Sequence, residues 1–252
     1  MNDSFANLSF PKFKSEELLK CIIDLVRLDK DWLPNKPQHS IYIRPTGISM
    51  ENSLGVKSPG SVKLYVILSP VGPYYPSGFK PVSIFTSLDH VRAWPHGSGD
   101  KKLGANYGPT IQAALEVQKK GYDQILWLVN DNVSEVGVMN FFVYWINEKG
   151  EKELITCPLD GTILPGVTRD SILKIAKKWG EFKVSEKIYK IQELVKALKE
   201  KRVIEAFGAG TAAVVAPVKK LNYDGVDYDV PIKADLSSGE LTHRFAKEIT
   251  DI

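Results

Sequence analysis

Thiols are almost absent from this chain: Cys21 and Cys157 are the two cysteines in 252 residues. They lie far apart with no metal-type spacing, which argues against a disulfide framework or a zinc site and fits a reducing compartment. The four histidines, His39, His90, His96 and His243, form no paired motif and read as structural or exposed, so no metal site is expected. No run approaches the ~20 apolar residues of a membrane helix, and Met1 to Pro11 lacks the basic start and apolar centre of a secretory leader. Charge of one sign is missing too. The 33 basic and 30 acidic residues leave +3, scattered over helical patterns without interleaved aromatics, which argues against nucleic acid as a partner.

What is there begins with Gly99-Asp100-Lys101-Lys102-Leu103-Gly104-Ala105-Asn106-Tyr107-Gly108. Glycines on both sides of a lysine let backbone approach a flat aromatic aldehyde closely, which suits an amine that forms a Schiff base. A solvated loop with two basic residues is the plain alternative, since lysine is usually exposed. A Walker-type phosphate loop does not fit, because Leu103 stands where Ser or Thr should follow the lysine.

The surrounding pattern is mixed. Ser15 is placed to cap a helix through Arg27, with Cys21 as a buried small hydrophobe among Leu18, Leu19, Ile22 and Ile23. Ser40–Pro45 alternates, setting Ile41 and Ile43 on one face and Tyr42 and Arg44 on the other; the second face reads equally well as solvated strand surface. Val62–Leu68 is a second strand, and the proline- and glycine-rich stretch from Ser69 to Gly78 is a connector. Beyond it come a strand at 82–85, a helix from Thr110 to Lys120, and a buried strand at 124–129. Strands at 136–146 and 151–155 flank Asn147–Gly150 as a hairpin whose first strand starts at Glu135. Leu164-Pro165-Gly166-Val167-Thr168-Arg169 leads into an amphipathic helix. That Gly-x-Thr start is a natural anion site, with plain capping by Thr168 as the alternative. A second Gly/Thr turn stands at Gly208–Ala212, and the C-terminal stretch from Ser237 carries a last helical pattern. Length suits two units: an incomplete small domain over 1–70, a connector over 71–81 and a large cofactor-binding domain over 82–252.

These stretches, together with Leu68–Tyr74, Val91-Arg92-Ala93-Trp94, Glu135–Asn140, Trp179–Phe182 and Phe207–Ala212, resemble the branched-chain amino acid aminotransferases of pyridoxal-phosphate fold type IV, eukaryotic branch. The matches run in family order from about residue 10 to the end. The resemblance implies an α/β (α+β) fold, an incomplete small α/β domain followed by a larger domain of mixed sheets and helices. It also implies pyridoxal 5'-phosphate as cofactor and amino transfer between leucine, isoleucine or valine and 2-oxoglutarate. It picks Lys102 over Lys101 as the lysine that binds the aldehyde and moves the substrate proton. Glu135 then faces the pyridine nitrogen, Tyr107 lies beside the cofactor's phenolic oxygen, and Val167, Thr168 and Thr211 form the phosphate cup, with Asn140 also at the cofactor. Tyr42, Arg44 and the Ala212 backbone meet the substrate. An apolar pocket separates side chains differing by one methylene by only ~1–3 kcal/mol, so all three branched-chain amino acids are expected to be handled together.

Departures from the family carry expectations of their own. Family members begin well before the position matching Met1, and that part holds an arginine that grips the cofactor phosphate and aromatic walls of the substrate pocket. The family's C-terminal tail beyond Ile252 is also missing. Weakened cofactor binding is therefore expected, and a catalytically impaired truncated isoform or fragment is the alternative reading. A D-amino acid aminotransferase or an aminodeoxychorismate lyase would keep the fold but change the reaction. Ala213 and Ala216 replace the C-x-x-C pair of mammalian members, so thiol regulation is not transferred. A homodimer is expected, in the cytoplasm or the mitochondrial matrix.

Overall fold

The computed structural model describes residues 1–37, 39–72, 80–211 and 213–250. The chain divides into two compact units, Met1–Pro76 and Ser77–Ile252.

In the first unit, helices α1 (Asn2–Asn7) and α2 (Ser15–Leu28) precede an antiparallel pair, β1 (Ser40–Ser49) and β2 (Val62–Val71). The polar N-terminal opening thus hides a short helix. It is held because Phe5 sits edge-on to Phe10 and Phe13, with ring centres 5.3 Å away in each case. Asn2 reinforces this contact. Its Nδ2 donates to the Phe13 carbonyl and its Oδ1 accepts the Phe13 amide, at 3.0 and 3.2 Å.

Helix α2 follows the apolar period, with Glu16 and Glu17 at its positive end and Arg27 at its negative end. Two expectations fail here. Lys14, not Ser15, occupies the cap position, and the Ser15 hydroxyl accepts a bond from Asn2. Cys21 is exposed, because α2 buries none of its residues. Ile43 is 41% exposed as well, so the Ile41–Ile43 face does not enter a closed core.

The second unit holds a nine-stranded sheet. Its strands are β3 (Val82–Thr86), β4 (Gln124–Val129), β5 (Asn132–Val136), β6 (Met139–Ile146), β7 (Lys152–Thr156), β8 (Lys183–Glu186), β9 (Val203–Gly210), β10 (Val214–Tyr223) and β11 (Val226–Asp229). Strand β9 pairs with both β6 and β10. The pairings β10–β3–β4–β5–β6–β9–β10 therefore close into a ring, with β3 parallel to both β10 and β4. Strands β7 and β8 extend the sheet from β6, and β11 extends it from β10.

Helices α3 (Thr110–Lys119), α4 (Val167–Trp179), α5 (Ile191–Lys199) and α6 (Glu240–Thr250) complete the unit. Ile172, Leu173 and Ala176 of α4 and Leu241 and Phe245 of α6 join one core with Phe142, Leu154, Phe207 and Val215. Phe142 stacks on Phe207 at 5.2 Å and Trp179 on Phe245 at 4.9 Å. Each such side chain removed from water is worth ~1.5–3 kcal/mol, so this cluster fixes α4 against the ring. Buried Glu205 of β9 fixes α6. Its carboxylate accepts the amides of Leu241 and Thr242 and the Thr242 hydroxyl, at 2.7 to 2.8 Å, satisfying the helix's leading donors with a charge of the favourable sign. Among the described residues, no helix is long and apolar enough to cross a membrane.

Candidate active site

One expected strand is two. The segment read as continuous from Glu135 into 136–146 reverses at Gly137, whose φ of 58° is left-handed and whose added Cβ would lie 2.1 Å from the Gln124 Oε1. The Gly137 amide donates to Ile125 and its carbonyl accepts from the Trp127 indole at 2.8 Å, which locks the reversal. Glu135 therefore stands near the end of β5, directly across from Asn140 on β6.

That pairing builds the acid's setting. Glu135 is 3% exposed. Its Oε1 accepts from the Asn140 Nδ2 and from the Leu164 amide, both at 2.9 Å. Its Oε2 lies 2.8 Å from the Nε of buried Arg92, as an ion pair whose N–H is not aligned as a hydrogen bond. Burial pushes the carboxyl up to about 7, against the opposing pull of Arg92, the Leu164 amide and the Lys102 charge. A buried acid with this little solvent stays ionised only while its donors and cations hold, so it is poised to respond to whatever faces it.

Arg92 gathers three segments. Its terminal nitrogen donates to the carbonyls of Gly99 and Thr162, at 3.0 and 2.7 Å, while Nε meets Glu135. The first carbonyl belongs to the lysine loop and the second to the stretch leading into α4. Asn106 clamps the same loop from within: its Nδ2 donates to the carbonyls of Ser98 and Lys101, at 2.6 and 2.8 Å, and its Oδ1 accepts from the Ser98 hydroxyl. Lys102 leaves this clamp on the exposed side, its Nζ 4.4 Å from the centre of the Tyr107 ring. Neither Arg92 nor Asn106 had been assigned a role from the sequence. A charged residue amid Val91, Ala93 and Trp94 was the available signal for the first.

The two Gly/Thr corners also meet. Helix α4 is capped by Gly166, not by Thr168, so the leading amides of Val167, Thr168 and Arg169 lack partners within the helix. The Thr168 hydroxyl donates instead to the Gly210 carbonyl at 3.2 Å. A side chain at 166 would strike the Asn140 Oδ1 at 2.3 Å, so glycine lets the acid's partner sit beneath the helix start. Gly208 to Gly210 are the end of β9, not a turn; Thr211 is exposed on the corner that follows. The chain returns through Val214, which has a left-handed φ of 52°, a strained state for a β-branched residue. Ala212 lies outside the described residues.

Lys102, Tyr107, Glu135, Asn140, Val167, Thr168 and Thr211 thus all belong to the second unit, linked through Arg92, Asn106 and the Thr168–Gly210 bond. A primary amine, a buried acid and a helix start rich in free amides match an aldehyde, a protonatable ring nitrogen and a phosphate. Tyr42 and Arg44 belong to the first unit, where the guanidinium lies 5.1 Å over the Tyr42 ring.

Comparison with known proteins decides the family. The amino-transferase class IV family matches residues 1–221. The chain belongs to that family. A branched-chain-amino-acid aminotransferase of Dictyostelium discoideum is 55% identical over 251 residues, covering 99% of this chain and 66% of the relative. The cytosolic branched-chain-amino-acid aminotransferase of Mus musculus is 49% identical over 252 residues, covering 99% of this chain and 65% of the relative. The chain thus spans just under two thirds of the length of these class IV relatives. A solved branched-chain amino acid aminotransferase of Thermobaculum terrenum in its PLP form shares the fold at a TM-score of 0.77 and 21% identity, over 99% of this chain and 74% of that one.

Proposed function

We propose that this class IV aminotransferase exchanges the amino group of leucine, isoleucine or valine with 2-oxoglutarate, giving branched-chain 2-oxo acids and glutamate with pyridoxal 5'-phosphate as cofactor. The observation that carries the reading is Glu135: a buried carboxylate held by Arg92, Asn140 and the Leu164 amide, within electrostatic reach of Lys102. Relatives of this name at about half identity support the substrates. The alternative of an impaired fragment draws no support from them.

When bound, the cofactor supplies an electron sink for the bond-breaking at the substrate α-carbon. Lys102 would hold the cofactor through its aldehyde and, as a free amine, would take and deliver the substrate α-proton. Glu135, in its ionised form, would favour a proton on the ring nitrogen, and Arg92 favours that ionised form. Asn140 fixes the carboxylate's direction. The amides of Val167 and Thr168 and the hydroxyl of Thr211 receive the phosphate. Tyr107 packs against the Lys102 amine and would meet the phenolic oxygen. By the family resemblance, Tyr42 and Arg44 would meet the substrate.

The test is an absorbance scan of the purified chain with added cofactor, followed by coupled assays with leucine and D-alanine. A visible band lost in Lys102→Ala, with turnover of leucine only, is expected. Absence of the band removes the proposal, and turnover of D-alanine instead reassigns the substrate. A homodimer in the cytoplasm or mitochondrial matrix completes the reading; light scattering on the eluting species checks the first and fractionation the second.

A further inference from the structure

Arg169 has no part in the chemistry above, and its place is an unusual one. It lies in the first turn of α4 with its side chain 3% exposed, where the positive end of the helix disfavours a cation. A charge taken out of water needs partners to hold it. Here the partners are the ends of two strands. The terminal nitrogen donates to the Cys157 carbonyl, just past β7, at 2.8 Å, and to the Glu186 carboxylate, at the end of β8, at 2.9 Å. Glu186 also pairs with Lys177, about two turns further along α4, at 3.3 Å. The Arg169 Nε is buried with no hydrogen-bond partner among the described residues, so it is the contacts to the strand ends that account for the arginine.

The other end of the same connection is held by the acid. From Cys157 the chain runs to α4 through Thr162, whose carbonyl accepts from Arg92, and Leu164, whose amide donates to Glu135 and whose carbonyl accepts from Asn140 at 2.9 Å. Asp160 braces this strap from within, its Oδ1 accepting the amide and hydroxyl of Thr162 at 2.9 and 2.7 Å. At the helix start, a Cβ on Gly166 would meet the Asn140 Oδ1 at 2.3 Å and the Arg169 Cβ at 3.6 Å, so the acid's partner and the arginine's stem stand against the same glycine. Burial pushes the Cys157 thiol up to about 12, with Asp160 adding to the rise, Arg169 opposing it and Glu135 adding again, so both ends of the strap are felt at one buried atom. Resting on the function proposed above, we infer that Arg169 is a positioning residue: by pinning the start of α4 to β7 and β8, it holds the amides of Val167 and Thr168 at the separation from Glu135 that lets one rigid cofactor reach both with its phosphate and its ring nitrogen. It acts through those amides and not on the reacting atoms.

The experiment separates the phosphate from the rest of the cofactor. The purified chain, freed of cofactor, is titrated with pyridoxal 5'-phosphate and with pyridoxal, which lacks the phosphate, and each Kd is read from the visible band. In Arg169→Met the preference for the phosphorylated form is expected to fall about tenfold, the scale of one lost hydrogen bond to a charged group, with the Kd for pyridoxal unchanged. Arg169→Lys, which keeps the charge but has a single donor centre, is expected to lose only about threefold. Glu186→Gln leaves the arginine and its bond to Cys157 in place, and about a threefold fall is expected there too. An unchanged preference in Arg169→Met, or an equal loss toward both ligands, overturns the inference and leaves the function standing. Should Arg169→Met fail to fold, the same two outcomes in Glu186→Gln overturn it. A chain of unmodified sequence that develops no band with pyridoxal 5'-phosphate sinks the function, and this inference with it.

Discussion

The two units obey opposite rules of burial. Among the described residues, the first unit fully buries only Ser4 and Phe5, and fourteen of its large apolar side chains are exposed, including Leu19, Ile23, Ile43 and Ile67. The second closes its strands into a ring and buries Phe142, Phe207 and Phe245 completely. Each contains an antiparallel strand pair of ten-residue scale or near it, so strand propensity does not account for the contrast. Cover does. A two-stranded ribbon is marginal by itself, whereas a closed ring backed by α4 and α6 satisfies both its backbone and its apolar faces. The same contrast separates chemistry from recognition: the buried acid needs a rigid, dry setting, and the proposed substrate side chains Tyr42 and Arg44 lie on the open ribbon.

The sharpest way to break this comparison is at the lysine. Lys102→Ala is expected to lower amino transfer by about 10⁴-fold and to abolish the visible cofactor band, while near-ultraviolet circular dichroism stays unchanged. Loss of the circular dichroism signal as well would mean that the loop is structural. Next in size is Phe207→Ala, which removes a ring stacked on Phe142 and is expected to cost about 3–5 kcal/mol in denaturant unfolding.

The Glu135 carboxyl gives a pH signature. Its folded value of about 7 stands above the ordinary 4.5, so the stability is fully present below about pH 4.5 and is lost as pH rises through 7. Unfolding free energy should fall by roughly 1–3 kcal/mol across that window, and Glu135→Gln should flatten the fall. Arg92→Met, by removing the compensating cation, should move the window to higher pH; no movement would disconnect the pair.

Turning to the first unit, Tyr42→Ala is expected to reduce kcat/KM for leucine by about tenfold with unfolding unaltered, the size of one lost pocket contact. Smallest of all, Ile67→Ser on the exposed ribbon should shift stability by no more than about 0.5 kcal/mol, far below the Phe207 effect. A loss comparable to that of Phe207 would show that the first unit has a core of its own in solution.

How far the sequence could be read follows the same division. Helices α3 and α4 were legible from their apolar periods and strands β3 and β4 from their short apolar runs, with glycine or proline near the ends. Nearby glycines drew attention to the lysine loop and to Thr168, and the family resemblance alone chose Lys102 over Lys101. Glu135 was misplaced by a strand. From Val133 to Ile146 apolar residues dominate and Ser134, Glu135 and Asn140 interrupt them without a period, so only Gly137, with its positive φ, marks the reversal. Arg92 was invisible as a site residue because its partners Thr162 and Glu135 lie tens of residues away, whereas Asn106 bonds Ser98 and Lys101 of its own loop, contacts that a short polar side chain in a glycine-rich turn does not announce. The exposure of Cys21 was misjudged for a converse reason: periodicity says which face of a helix is apolar, not whether anything covers it.

Strand β10 has a consequence for assembly. Its first four residues pair with β9, and its later ones pair with β3 and β11. A slip of one position along it would therefore misalign three neighbours together and displace the Thr211 corner in the same motion. Wrongly threaded chains should accordingly lack the whole corner proposed to receive the phosphate instead of holding a weakened copy of it. Competence to take up cofactor would then report that the ring has closed in register.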